Sequence, residues 1–182
     1  MSVTYKTGCP VCGNPEITIN QVSQDIPHFG PAIILSILCP SCGFKDNDVI
    51  LVKTQEPKTY SLKVETLEDL KAKIVRSSTC LVKIPELGVE IKPGPASQGF
   101  ITNVEGLLER VEEALKALTM DKNVRNKCSE FFFKLQLAKE GKKSFTVILK
   151  DPSGNSAIIP SQEGKVKVKR MSKKEVEALQ KF

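Results

Sequence analysis

The chain has 182 residues, of which 40% are hydrophobic and 26% charged. That length holds a small module plus one ordinary domain, and that balance excludes a disordered polymer. No segment reaches the roughly 18 consecutive apolar residues of a membrane span, and the first ten residues lack the basic and then apolar blocks of a secretory leader. A cytoplasmic protein without membrane contact is therefore expected. The net charge of +6 is uneven, since residues 163–182 hold seven Lys or Arg against three Glu. Such a tail is more often a solvated surface than an arm for nucleic acid.

In chain order, residues 1–54 read as a first unit. Strands are expected at 16–22, 33–38 and 48–54, with a loop at 25–31 where two prolines and a glycine break pairing. A boundary near 55–58 opens a second unit over 55–171. It begins with strands at 59–65 and 78–84, joined by a short helical piece at 67–75, and a brief strand at 89–91 follows. After a Pro- and Gly-rich loop at 92–99 comes the clearest helix. Thr102 and Glu105 suggest a capping box, and Val104, Leu107, Leu108, Val111, Leu115 and Leu118 fall three or four apart on one face. A second helix from Asp121 places Val124, Cys128, Phe131, Phe132 and Leu135 on one face and stops before Gly141. The short connection makes an antiparallel hairpin at 102–140. Phe131 to Phe133 read as core. Strands return at 144–150, 157–160 and 165–171, and Ser172 with Glu175 caps a short helix in the basic tail at 172–182. The fold class is α+β, with a helical hairpin inserted into a β domain.

The strongest chemical signal lies in the cysteines. Cys9-Pro10-Val11-Cys12-Gly13 and Cys39-Pro40-Ser41-Cys42-Gly43 repeat one five-residue pattern. Two residues between cysteines let one tight turn aim both thiolates at a single tetrahedral ion, roughly 2.3 Å from each sulfur. Glycine after the second cysteine suits the left-handed backbone closing such a turn. A thioredoxin-like redox pair would sit alone near a βαβ pattern, which is lacking. The expectation is one structural Zn²⁺ held by Cys9, Cys12, Cys39 and Cys42. Four cysteines close the coordination sphere, so this zinc is not a catalytic one. His28, the only histidine, and the isolated Cys80 and Cys128 form no catalytic constellation, and no enzyme is expected. The segment Asp151-Pro152-Ser153-Gly154-Asn155-Ser156 reads as a plain turn between strands.

Ordered blocks of the sequence resemble the ZPR-type zinc-finger family. They include the first zinc turn, Ile26-Pro27-His28-Phe29, the run from Cys39 to Val49, Asp69-Leu70, Val75-Arg76-Ser77, Ile84-Pro85-Glu86-Leu87, Asn103-Val104-Glu105-Gly106-Leu107, and Phe145 to Leu149 leading into Asp151 to Ser156. The chain looks like the single-module form found in archaea. The resemblance implies a zinc ribbon followed by a double-stranded β-helix-like domain with an inserted α-helical hairpin. It also implies a non-enzymatic protein that binds translation elongation factor one-alpha, a GTPase, and assists its folding. On this resemblance the candidate partner contacts are His28, Phe29, Glu105, Gly106, Asp151, Ser153, Gly154 and Asn155. The alternative is a zinc ribbon that binds nucleic acid. Only ten aromatics occur in the chain, so an aromatic-studded basic surface is not apparent.

Overall fold

The computed structural model describes residues 2–26, 30–52, 56–94, 97–118 and 122–179, and only the backbone at 2–6, 51, 118 and 122–127. The N-terminal unit is an antiparallel sheet of β1 (Ser2–Thr7), β2 (Ile17–Ile26), β3 (Gly30–Leu38) and β4 (Lys45–Leu51), in that order. Three of these strands are the expected ones; β1, whose residues offer no long apolar run, is additional, and β4 opens three residues earlier than expected. The expected loop at 25–31 is also shorter, because pairing continues to Asp25↔Pro31 and Ile26↔Gly30. Gly30 turns there at φ +79°, and Pro31, which lacks a donor, still accepts the Val52 N–H at 2.9 Å.

Two sheets build the second unit. The larger has the order β12 (Val166–Arg170), β5 (Lys58–Val64), β10 (Phe145–Asp151), β7 (Leu81–Ile84) and β8 (Val89–Ile91). The smaller has β11 (Ala157–Ile159), β6 (Lys73–Arg76) and β9 (Phe100–Asn103). Inward and outward positions alternate strictly along β10, with Phe145, Val147 and Leu149 buried. Those side chains meet Leu62, Ile74 and Val82 in the main core. Helices α1 (Val104–Leu118) and α2 (Lys122–Lys139) form the inserted hairpin and bury Leu107, Leu108 and Leu135 against it. The architecture is the expected mixed α+β one, with a ribbon, a jelly-roll β domain and a helical insertion.

Local details depart from the sequence reading. The helical piece at 67–75 is a single 3₁₀ turn, Asp69–Lys71, because β-branched Ile74 and Val75 favour the strand β6 that follows. The cap of α1 is Asn103, whose Oδ1 accepts the Gly106 N–H at 2.8 Å. Thr102 stays in β9, paired with Ile74, so the Thr102–Glu105 box does not form. The box at the last helix, α3 (Lys173–Leu179), does form: the Ser172 N–H donates to Glu175 at 3.0 Å, and the Glu175 N–H to Ser172 Oγ at 3.4 Å. On α2, Phe131 packs on the core and Phe132 is half-buried, but Phe133 is exposed.

Ribbon and jelly roll touch through a small contact. Ala32 and Val49 of the ribbon pack with Val75 of β6. The segment before β9 pairs with β4: the Gly99 N–H donates to Asn47 O at 3.1 Å and Gln98 Nε2 to Lys45 O at 3.0 Å. Ser78 Oγ donates to Asp48 at 3.1 Å.

Candidate functional site

Each cysteine pair sits in a turn between ribbon strands, and the two turns are built alike. The Cys9 N–H donates to Asn14 O at 2.7 Å and the Gly13 N–H to Cys9 O at 3.0 Å. In the second turn the Cys39 N–H donates to Phe44 O at 2.8 Å and the Gly43 N–H to Cys39 O at 3.0 Å. Gly13 and Gly43 adopt φ of +71° and +73°, which few other residues would accept. Asn14 Nδ2 and Ser41 Oγ bond the turns to each other. The β2–β3 hairpin brings the turns together, and the four sulfurs lie within 4.8 Å of one another.

A tetrahedral zinc with Zn–S bonds of about 2.3 Å has S–S edges of about 3.8 Å. The Cys9–Cys42 and Cys12–Cys39 sulfur pairs are each 3.7 Å apart, so the thiols fit that ion. Their titration leads to the same conclusion. The Cys12 N–H, with other backbone and thiol donors, outweighs burial and draws Cys9 down to about 6. At Cys42 the Phe44 N–H favours the thiolate, but burial and the neighbouring Cys39, Cys12 and Cys9 push it up to about 12. At Cys12 the Asn14 N–H and Cys42 favour the thiolate, yet burial with Cys9 and Cys39 raises it overall. Four thiolates this close need a cation to ionise together.

The Asp151–Ser156 turn does a different job. Strand alternation carries Asp151 inward, where it is fully buried. Its carboxylate accepts from Ser77 Oγ at 2.9 Å, Thr79 Oγ1 at 3.0 Å, and Ser153 N–H and Oγ at 2.9 and 2.7 Å. Ser156 Oγ accepts the Ser77 N–H at 2.9 Å. The turn thus fastens the β10–β11 connection to the β6–β7 connection. Gly154 is buried at φ +72°, while Ser153 and Asn155 are half-buried. Neither local composition nor periodicity had pointed to Ser77 and Thr79 as the partners of Asp151.

Among the other expected contacts, Glu105 is exposed on α1, and Gly106 packs against Thr102 Oγ1. His28 and Phe29 lie outside the described residues. Cys80 and Cys128 are buried, and burial pushes the Cys80 thiol up to about 12, which makes it a poor nucleophile. No helix among the described residues is long and apolar enough to cross a membrane.

Comparison with known proteins agrees with this construction. Residues 3–56 match the ZPR1 zinc-finger domain and residues 68–180 the ZPR1 jelly-roll domain. A ZPR1-like protein of Methanocaldococcus jannaschii is 43% identical over 98% of this chain and 91% of its own length. One of Pyrococcus horikoshii is 38% identical over 95% of this chain and 79% of its own. The zinc finger chaperone zpr1 of Schizosaccharomyces pombe is 35% identical over 84% of this chain, which corresponds to 35% of that longer protein. The zinc-finger match and the four-thiol cluster together make structural zinc the cofactor. A ribbon with paired cysteine turns, joined to a jelly roll with an inserted hairpin and matched along nearly the whole chain, places this protein in the ZPR1 family.

Proposed function

We propose that this chain is a non-enzymatic, zinc-dependent binding protein that acts as an adaptor or folding chaperone for translation elongation factor one-alpha, with Cys9, Cys12, Cys39 and Cys42 holding the zinc. The observation that carries the reading is the kinship with the fission-yeast protein, named a zinc finger chaperone. The site is consistent with it. Four thiols leave no open position on the metal, so the ion organises a surface and does not activate water. That surface presents apolar groups: Val11, at the tip of the first zinc turn, is 65% exposed, and Leu38, next to Cys39, is exposed as well. On α1, Glu105 supplies an exposed charge for a partner. A reducing cytoplasm suits six cysteines that form no disulfide.

The nucleic-acid alternative is weaker. Part of the basic tail is already neutralised, since Lys165 pairs with Asp69 at 2.7 Å and Arg170 with Glu56. The deciding experiment is calorimetric titration of the zinc-loaded protein with purified archaeal elongation factor one-alpha in its GDP, GTP and nucleotide-free forms. A Cys39→Ser, Cys42→Ser variant runs in parallel. Binding by the intact protein alone supports the reading. Absence of binding in every nucleotide state, together with salt-sensitive RNA binding, would replace it with the alternative.

A further inference from the structure

Part of the main core borders an open groove among the described residues. Val89 and Ile91 of β8, Phe100 of β9, Leu115 of α1 and Phe131 of α2 are half-buried side chains packed against the core. All five line the same open groove, of about 830 Å³. One wall is β8, the last strand of its sheet, with no strand beyond it among the described residues. The facing wall is α1, through Arg110, Val111 and Ala114. A groove between a sheet edge and a helix has the geometry that accepts an added strand, with backbone bonds along the edge and alternate side chains seated in the groove.

Its charge is one-sided. Arg76 is 3% exposed and donates only to neutral acceptors: Gln98 O at 2.7 Å, Cys80 O at 3.0 Å and Ser97 Oγ at 2.7 Å. Its Nε has no partner. Arg110 lies over the Phe100 ring, 4.5 Å from its centre, and Arg76 lies 5.5 Å from the same centre. Neither arginine makes an ion pair among the described residues. Glu90, the acid on β8, is already engaged by Lys83 at 3.0 Å and Lys92 at 3.8 Å. Arg76 has Asp48 and Asp151 as opposite charges at longer range, whereas Arg110, stacked on Phe100, is the guanidinium left to favour an incoming carboxylate.

We propose that the groove between β8 and α1 binds an extended peptide segment of a partner protein, which adds as a strand along Val89–Ile91, seats alternate apolar side chains on Phe100, Leu115 and Phe131, and sets an acidic side chain on Arg110. A three-residue edge is short, roughly 10 Å at strand rise, so the contact is weak and exchanging. It does not depend on which protein supplies the segment.

The test is fluorescence anisotropy of the full, zinc-loaded chain with labelled octapeptides, acetylated and amidated, that alternate valine and threonine. One aspartate scans the positions, and matched sets carry asparagine or lysine instead. The best aspartate peptide should saturate below about 100 μM, at least ten-fold tighter than its asparagine and lysine counterparts. Arg110→Glu should invert that order. Ala114→Trp, at an exposed position on the groove wall, should abolish binding by all the peptides while leaving zinc content unchanged. Bound peptide should slow amide exchange in β8. Lack of saturation at millimolar peptide, an order indifferent to Arg110→Glu, or slowed exchange elsewhere than β8 would overturn the proposal. So would self-association blocked by Ala114→Trp without any peptide binding, which would assign the groove to a second copy of the chain.

Discussion

Asp69 is 1% exposed, and its carboxylate is held by Lys165 at 2.7 Å and by the Glu65 N–H, Thr66 N–H and Thr66 Oγ1, each at 3.0 Å. Burial alone would raise its pKa, but Lys165 and these donors overcome that and bring it down to about 2. A carboxyl with a depressed folded pKa stabilises the fold above its unfolded value of about 3.9, and that stability is lost as pH falls toward 2. That depression corresponds to about 2 kcal/mol. Asp69→Asn should therefore lower urea stability at pH 7 by about that amount and flatten its fall between pH 4 and 2. A variant as acid-sensitive as the parent would show that other carboxylates dominate. Gly99 makes a second residue-scale case. A Cβ there would stand 2.9 Å from the Val49 nitrogen and 3.2 Å from the Arg76 carbonyl, both backbone atoms that cannot turn aside. Gly99→Ala should cost about 1–3 kcal/mol by overpacking, read as a lower denaturation midpoint with zinc still bound.

At the level of elements, the cap of α1 decides how the helical hairpin leaves the sheet. Asn103 is both the last residue of β9, paired with Lys73, and the acceptor for the Gly106 N–H. Asn103→Ala should cost about 1 kcal/mol, and amide exchange should quicken first in the opening turn of α1. If Thr102 held that role, Thr102→Ala would be the damaging change instead. The hairpin was legible in the sequence because an apolar stripe at helical spacing is a local signal, and Leu107, Leu108 and Val111 are all buried as that stripe requires. The zinc turns were legible for the same reason, since ligand spacing is written within five residues. Of the short strands, β8 and β11 were legible, but β1, β6 and β9 were not. β1 carries no long apolar run, and β6 is only four residues long, too short for its β-branched Ile74 and Val75 to stand out before β9 and β11 pair with it. The Asp151 network was illegible too. It depends on β10 pairing with β7 and β5, strands more than sixty residues away in the chain, and no local pattern encodes that register.

Across the whole molecule, the two units differ in how much apolar surface each buries without metal. Among the described residues, the jelly roll holds a cluster of nineteen buried ones from Leu62 to Ile158. The cluster at the zinc turns holds three, and two of them, Cys9 and Cys39, belong to the thiol set itself. Structural zinc in small fingers supplies on the order of 10–16 kcal/mol of folding free energy, far more than Ile17 and its half-buried neighbours can replace. Chelation should therefore unfold the ribbon and spare the jelly roll, so that heating the metal-free chain melts only the jelly roll whereas the zinc form begins with both units intact. The contact between the units carries the loss further. β4 accepts the Gly99 and Gln98 donors through Asn47 O and Lys45 O, and the same segment supplies Gln98 O and Ser97 Oγ to Arg76. Amide exchange in the metal-free protein should accordingly quicken in β2, β3 and β4 and at Gly99, while β5, β7 and β10 stay protected. Loss of protection in β10 as well would mean that the ribbon contact, and not the nineteen-residue cluster, holds the jelly roll together.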